Sequence, residues 1–280
     1  MIYHYTDLNA VKLIFEKNKL WLTDHRFLND TEESKCGYKI IKDTLLEFSD
    51  FPLNYPQDLI SDIKNSLIFL GDNPELIIEP PSIFVASFSK DKDSLSQWRS
   101  YGMHAIGIDE NTLKTEIERH GDTNIFLKCH YITNNKESVN YAISIIKSFL
   151  LPLLLSAWVK LDDKNILGHL YLYLIIYSMG FKHAGFRDES EVRIIIASIW
   201  NDERIKFRTR GDYLIPYWEL DIPQQALREI VIGPVEDRYL AETSLQMFAN
   251  SIVMGRLKSG NDKNRAALEV RCSEIPFRSI

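Results

Sequence analysis

Cysteine is scarce in this chain. Cys36, Cys129 and Cys272 lie far apart with no C-x-x-C spacing, which argues against both a disulfide framework and a zinc knuckle and makes a reducing cytoplasm the expected compartment. No G-x-G-x-x-G follows a strand and no G-x-x-x-x-G-K-[ST] occurs, so nucleotide binding would need an architecture other than a Rossmann unit or a P-loop. H-E-x-x-H is missing and the seven histidines are scattered; no metal site is expected. The absence of a G-x-S-x-G elbow speaks against an α/β-hydrolase triad. Positive charge is in deficit as well: 33 Lys and Arg against 39 Asp and Glu give a formal net charge of −6. Bulk electrostatic coating of nucleic acid is therefore disfavoured, although a local basic groove stays open.

Long hydrophobic runs are also few. "SFLLPLLLSAWV" (148–159) and "ILGHLYLYLIIYSMGF" (166–181) are each shorter than the roughly 20 apolar residues that cross a bilayer, and Pro152 interrupts the first. Buried core helices are expected there, with no membrane partner. The opening "MIYHYTDLNA" has no basic start, apolar stretch or small-residue cleavage site, so export by a signal peptide is not expected.

With 45% hydrophobic and 26% charged residues over 280 positions, the composition is that of an ordinary globule. "IYHYT", "KLWLT", "IFVASFS", "HAIGIDE" and "IFLKCHYI" read as strands, with a helix over "LNAVKLIFEKN" capped by Asp7 and another from about Lys35 to Phe48. Residues 49–82, rich in Pro, Asn and Asp around "DLISDIKNSLIFL", read as a surface excursion. Strand signals return in "EVRIIIASIW", "IKFRTRG", "YLIPYWELD" and "LREIVIGP", before a helix in "EDRYLAETSLQMFANS" and a last strand in "ALEVRCSEI". The expectation is one α+β domain over residues 1–280 with a helical insertion at 137–180.

Several segments could carry chemistry. In "FRDESEVRIII" an extended backbone puts Glu189, Glu191 and Arg193 on one side and Ser190, Val192, Ile194 and Ile196 on the other. Read alone, this is a solvated strand face whose ion pairs are worth about 0–1 kcal/mol. His4 shares a face with Thr6 and reads first as a packing residue, although the two could also hold ribose hydroxyls. Ser87 and Ser89 share a face in "SFS", where hydroxyls can equally satisfy neighbouring backbone groups. Trp98 and Tyr101, three apart, share a helical face and read as core or as a stacking wall. Asn29 and Asp30 in "NDTEE" read as turn formers or a helix cap.

Taken in order, "YHYT", "LWLT", "LNDTEE", "SFSKDKDSLSQWRSYG", "GFRDESEVR" and "IVIGP" resemble the bacterial family catalogued as domain of unknown function 2971, over nearly the whole chain. Thr31 departs from that family's proline and Phe186 from its tryptophan. A looser resemblance joins the opening Y-H-Y-T strand, the Ser-containing strand and Glu-x-Glu to the ADP-ribosyltransferase superfamily. It implies a split mixed or antiparallel β-sheet core that grips NAD, as substrate, without a Rossmann fold. It also implies roles: Glu191 stabilises an oxocarbenium-like ribose near its 2′-hydroxyl, and Glu189 orients or deprotonates the acceptor. His4 and Thr6 hold ribose hydroxyls, and Ser87, with Ser89 on the same face, braces Glu191 or the ribose. Tyr101 or Trp98 stacks on a ring, and Arg193 pairs with pyrophosphate or with Glu189. The acceptor would be nucleic acid or protein, in phage defence or in a toxin–antitoxin pair with an antitoxin or defence partner. An RNA-acting nuclease or hydrolase using His4 as base, and a non-catalytic binding module, are the alternatives.

Overall fold

The computed structural model describes residues 1–28, 31–73, 82–119, 124–162, 165–198, 203–258 and 268–276; Asn29 and Asp30 lie outside the described residues. Segments rich in β-branched and aromatic residues become strands. In chain order these are β1 (Ile2–Thr6), β2 (Lys19–Asp24), β3 (Ser82–Ser89), β4 (His104–Ile108), β5 (Asn124–Lys128), β6 (His130–Ile132), β7 (Phe181–His183), β8 (Glu191–Ser198), β9 (Ile205–Arg210), β10 (Tyr213–Asp221), β11 (Leu227–Ile232) and β12 (Glu269–Cys272). The helices are α1 (Leu8–Lys17), α2 (Thr31–Glu47), α3 (Gln57–Asp72), α4 (Leu95–Tyr101), α5 (Glu110–Glu118), α6 (Asn135–Ile145), α7 (Leu151–Lys160), α8 (Leu167–Ser178) and α9 (Arg238–Lys258). The fold is α+β with a mixed sheet.

The large sheet runs β12-β11-β4-β1-β3-β2-β10-β9, and β8 and then β5 are added alongside β3. Neighbours are antiparallel except β11 with β12. Strand β8 occupies one edge of β3 along its whole length, from Ser82 opposite Ser198 to Ser89 opposite Glu191. The other edge of β3 is shared. Strand β1 meets it at Ser89 (opposite Tyr3) and β2 meets it at Phe84 and Val85 (opposite Asp24 and Thr23). Between those contacts Ala86, Ser87 and Phe88 have no ladder partner on that side, so the sheet forks over them.

Strands β3 and β8 are covered on both faces, which is why "IFVASF" and "VRIII" read as near-continuous apolar runs. On one side Phe84, Ala86, Ile194 and Ile196 pack with Val11 and Phe15 of α1, Leu113 of α5 and Leu245 of α9. On the other, Ile83, Val85 and Ile195 pack with Ile41 of α2, Ile63 of α3, Leu154 of α7 and Leu174 of α8. The expected surface excursion is therefore a core element: Leu59, Ile63, Leu67 and Leu70 of α3 are buried. Its one-sided helical pattern outweighs the loop-like residues around it.

The apolar run at 148–159 also differs from expectation. It continues α6 into one helix from Asn135 to Lys160, 26 residues that by length and composition could cross a membrane. A π turn at Ile146–Leu150 immediately precedes Pro152; by widening the turn it accommodates the ring and the missing N–H that would otherwise break the helix. One stripe of this helix, including Ile145, Ile146, Leu150 and Leu154, is packed in the core, whereas Phe149 and Val159 on the other side are exposed.

Gly102 closes α4 onto β1. Its φ is +127°, and an added Cβ would lie 2.5 Å from the Thr6 carbonyl oxygen. Gly102→Ala should lower stability by about 2 kcal/mol or more. Gly168→Ala in α8, where a Cβ meets nothing within 4 Å, should be neutral or stabilising by up to about 1 kcal/mol. Urea denaturation midpoints check both, and a Gly102→Ala protein as stable as wild type would refute the close approach.

Candidate functional site

Where the sheet forks, it opens into a cavity of about 710 Å³. Val85, Ala86, Ser87 and Phe88 all line it, the last three along the stretch where neither β1 nor β2 pairs with this edge of β3. His4 bridges the gap: its Nδ1 lies 3.1 Å from the Ser87 carbonyl oxygen, supplying the partner that a ladder strand would have given. With Nδ1–H donating there, Nε2 has no protein partner among the described residues. Burial pushes the imidazole pKa below the ordinary histidine value, opposed only in part by the Ser87 bond. His4 is thus neutral near pH 7 and keeps an acceptor nitrogen.

Thr6 and Tyr101 line the same cavity, and Tyr101 is 45% exposed at the end of α4. Tyr5 sets the position of α4: its hydroxyl donates to the Asp91 carbonyl at 2.8 Å and accepts from the Ser94 N–H at 3.0 Å. Trp98 does not share the wall with Tyr101. It is buried edge-on to Tyr5, with Nε1 donating to Asp93 at 2.8 Å, so it anchors the helix and has no face left for a ligand ring.

The carboxylates come next. Glu191 is 4% and Arg193 5% exposed, which overturns the reading of this stretch as a solvated edge. The cover comes from β7, whose Lys182 is 1% exposed. Lys182 Nζ donates to Glu189 Oε2 at 2.5 Å and to Glu191 Oε2 at 2.6 Å. Arg193 donates through Nε to Glu191 Oε1 at 2.7 Å, through Nη2 to Oε2 at 3.0 Å, and through Nη1 to the Met179 carbonyl at 3.0 Å. Arg193 therefore pairs with Glu191, does not pair with Glu189, and is absent from the cavity lining, contrary to the expectation of a pyrophosphate contact.

Glu189 and Glu191 do not share a strand face. Glu189 ends a 3₁₀ segment, Ala184–Glu189, and Ser190 adopts the left-handed conformation (φ 45°, ψ 47°) before β8 begins. The two carboxylates converge through the Lys182 ammonium, and both line the cavity. Burial alone would raise the Glu191 pKa, but Arg193 and Lys182 outweigh it and hold it at about 2, below the ordinary 4.5. Burial would likewise lower the Lys182 pKa, but Glu191 and Glu189 hold it above the usual lysine range. The cluster of two carboxylates and two cations is formally neutral.

Both serines of "SFS" are placed, in different roles. Ser87 lines the cavity, and its hydroxyl makes no hydrogen bond to Glu191. Ser89 is buried, donating to the Glu189 carbonyl at 2.7 Å and accepting from the Asp91 N–H at 3.0 Å; it braces the Glu189 backbone and does not line the cavity. Phe186 also lies off the cavity lining, its ring 5.0 Å from Lys182 Nζ.

Sequence reasoning missed Lys182, the only charged residue in "IIYSMGFKHAGF". A lone cation closing an apolar run is the signal that could have flagged it. It also missed the far wall, where Lys17, Lys19, Trp21, Thr23, Arg208 and Arg210 face the cavity. Among the described residues, no three of His, Cys, Asp and Glu come together in a metal-binding group. No model of a known family, no curated protein and no solved structure matches the chain.

Lys182→Met should cost about 3–5 kcal/mol, because it leaves a buried carboxylate undercompensated. The Glu191 contribution is fully present above pH 4.5 and is lost as pH falls toward the folded value of about 2, since a lowered carboxylate pKa means the unfolded state binds the proton more tightly. Urea midpoints of wild type and Lys182→Met should therefore converge between about pH 5 and about pH 2. A gap that is constant over that range would mean the ion cluster does not set acid stability.

Proposed function

We propose that the chain is an ADP-ribosyltransferase-like enzyme that cleaves NAD at the nicotinamide glycosidic bond and transfers ADP-ribose to a nucleic-acid or protein acceptor. The observation that carries this reading is the convergence of His4, Thr6, Ser87, Tyr101, Glu189 and Glu191, from four separate stretches of the chain, on one cavity at the fork of the sheet. A cavity of about 710 Å³ falls within the size range of small-molecule sites. The resemblance to the superfamily's split sheet, which holds NAD without a glycine-rich loop, supports the same reading.

In this reaction the bond from ribose C1′ to the nicotinamide nitrogen breaks, and its electron pair leaves with neutral nicotinamide. The ribose becomes oxocarbenium-like. Glu191, kept ionised by Arg193 and Lys182, presents a fixed negative charge that needs no reorganisation as positive charge develops. Its Oε1 accepts one hydrogen bond and its Oε2 two, so Oε1 retains a lone pair for the ribose 2′-hydroxyl. Glu189 receives the proton of the attacking acceptor group as that group bonds to C1′. Neutral His4 and Thr6 hold ribose hydroxyls, and Tyr101 offers a ring face at the mouth.

The reading carries with it a cytoplasmic location and a role in phage defence or a toxin–antitoxin pair. One observation also favours an RNA-acting hydrolase: the neutral His4 with an unoccupied Nε2 is what a general base requires.

Nicotinamide release from NAD, measured with no acceptor, with single-stranded DNA, with RNA and with cell extract, tests the proposal. Wild type should release nicotinamide in at least one mixture, and Glu191→Gln should be slower by roughly 10²-fold or more. Equal rates in both would remove Glu191 from the chemistry. RNA cleavage without NAD that is lost in His4→Ala would favour the hydrolase.

A further inference from the structure

The wall formed by β2, β9 and the end of α1 lines the same cavity as the carboxylates and carries the opposite charge. Lys17, Lys19, Arg208 and Arg210 all line it. Lys19 is already engaged by Asp221 at 3.0 Å and Glu219 at 3.7 Å. Arg208 and Arg210 make no salt bridge among the described residues, although they are adjacent same-face positions on an edge strand. Arg208 is the more telling of the two. It sits opposite Ile215 on β10, while β10 in turn pairs with β2, so the side chain must cross β10 to donate from Nη2 to Thr23 Oγ1 at 2.9 Å. That crossing buries its stem and lays the guanidinium 5.9 Å from the Trp21 ring. Its Nε–H is buried with no hydrogen-bond partner among the described residues.

A buried, unpaired guanidinium N–H is costly. Arg208 bears a second penalty, since burial first and the neighbouring Arg210 charge second press its pKa below the ordinary value. The alternation of β9 sets the two like charges side by side, and Arg210 is exposed and forms no salt bridge among the described residues that would offset its charge. An anion bridging them relieves the repulsion and occupies the empty donor at once. Phosphate oxygens suit this arrangement, because a planar guanidinium fork matches them and an ammonium does not.

We propose that Arg208 and Arg210 form an anion subsite of the cavity that binds the diphosphate of a nucleotide whose sugar lies toward Glu189 and Glu191. The inference rests on reading the cavity as a nucleotide site and assigns the end at which the phosphates lie. Lys17 lines the same wall and adds a further charge. Trp21 offers an exposed ring beside Arg208.

Isothermal titration with ADP-ribose, and separately with inorganic pyrophosphate, tests this on wild type, Arg208→Gln, Arg208→Lys and Arg210→Gln. Arg210 is exposed, so its variant should fold as wild type, and equal urea midpoints will verify that. Wild type should bind ADP-ribose, with pyrophosphate competing and the affinity falling as salt rises. Each Gln variant should lose about tenfold or more in affinity, and Arg208→Lys should recover only part of the loss. Unchanged ADP-ribose affinity in both Gln variants overturns the subsite, as does the absence of any binding by wild type up to about 10 mM of either probe. If pyrophosphate binds through Arg208 and Arg210 yet no mixture releases nicotinamide, the subsite stands and the transferase reading falls.

Discussion

The cage around Glu191 is the constraint on which the rest of the site depends. A carboxylate taken out of water is expensive unless its charge is met directly, and here Lys182 and Arg193 meet it from β7 and from its own strand. The contact ties together two sheets: β8 belongs to the large one, while β7 follows α8 and, among the described residues, pairs with β6 alone in a small parallel sheet. Further bonds run across the same junction. The Glu191 N–H donates to the Tyr131 hydroxyl at 2.7 Å, and the Cys129 N–H donates to the Glu191 carbonyl at 3.0 Å. Removing one cation would thus loosen the seam between the helical region and the sheet as well as a side chain at the cavity.

The fork is the second constraint, and it converts a sheet into a site. A continuous ladder would satisfy every backbone group along β3 and leave no opening. By letting β1 and β2 meet β3 at different heights, the fold leaves three residues of an interior strand without a ladder partner on one edge, and the imidazole of His4 compensates the Ser87 carbonyl left behind. The same histidine therefore plugs a backbone deficit and faces the cavity. That explains why its packing role and its site role are not alternatives.

Much of the architecture was legible in the sequence, because strands and helices here follow their local patterns closely. "EVRIIIAS" and "IFVASFS" are strands since runs of branched residues suit positions covered on both faces, and Asp7 caps α1 as its spacing suggests. What local pattern could not supply was cover from a distance. Alternation placed Glu191 and Arg193 on one face of β8, but whether that face meets water or β7 depends on a segment whose own sequence reads as the end of an apolar helix. Trp98 and Tyr101 show the same limit. Their spacing puts them on neighbouring positions of one turn, yet Tyr5 and Asp93 draw the tryptophan inward while the tyrosine stays at the rim. The arginines of β9 escaped notice because alternating charge on an edge strand ordinarily means only solvation, and nothing nearby in sequence reveals that Thr23, across two strands, pulls Arg208 over a cavity.

Charge is distributed unevenly across the cavity, and that asymmetry bears on how any ligand must lie. At one end two carboxylates are balanced by two buried cations, so the end carries no net charge but presents fixed, oriented oxygens. At the other, cations of α1, β2 and β9 line the wall, and Arg208 and Arg210 make no salt bridge among the described residues. A ligand with a cationic or hydroxyl-bearing part and an anionic part has one favourable orientation in such a field, and reversing it would set phosphate oxygens against Glu189. The chain as a whole is negative, so the positive wall is a local concentration against the average charge. Local fields of this kind act within about 8–10 Å at physiological salt, which is the scale of the cavity itself. They therefore orient a ligand already inside more effectively than they attract one from solution, and the neutral carboxylate cage leaves that orienting field undiminished.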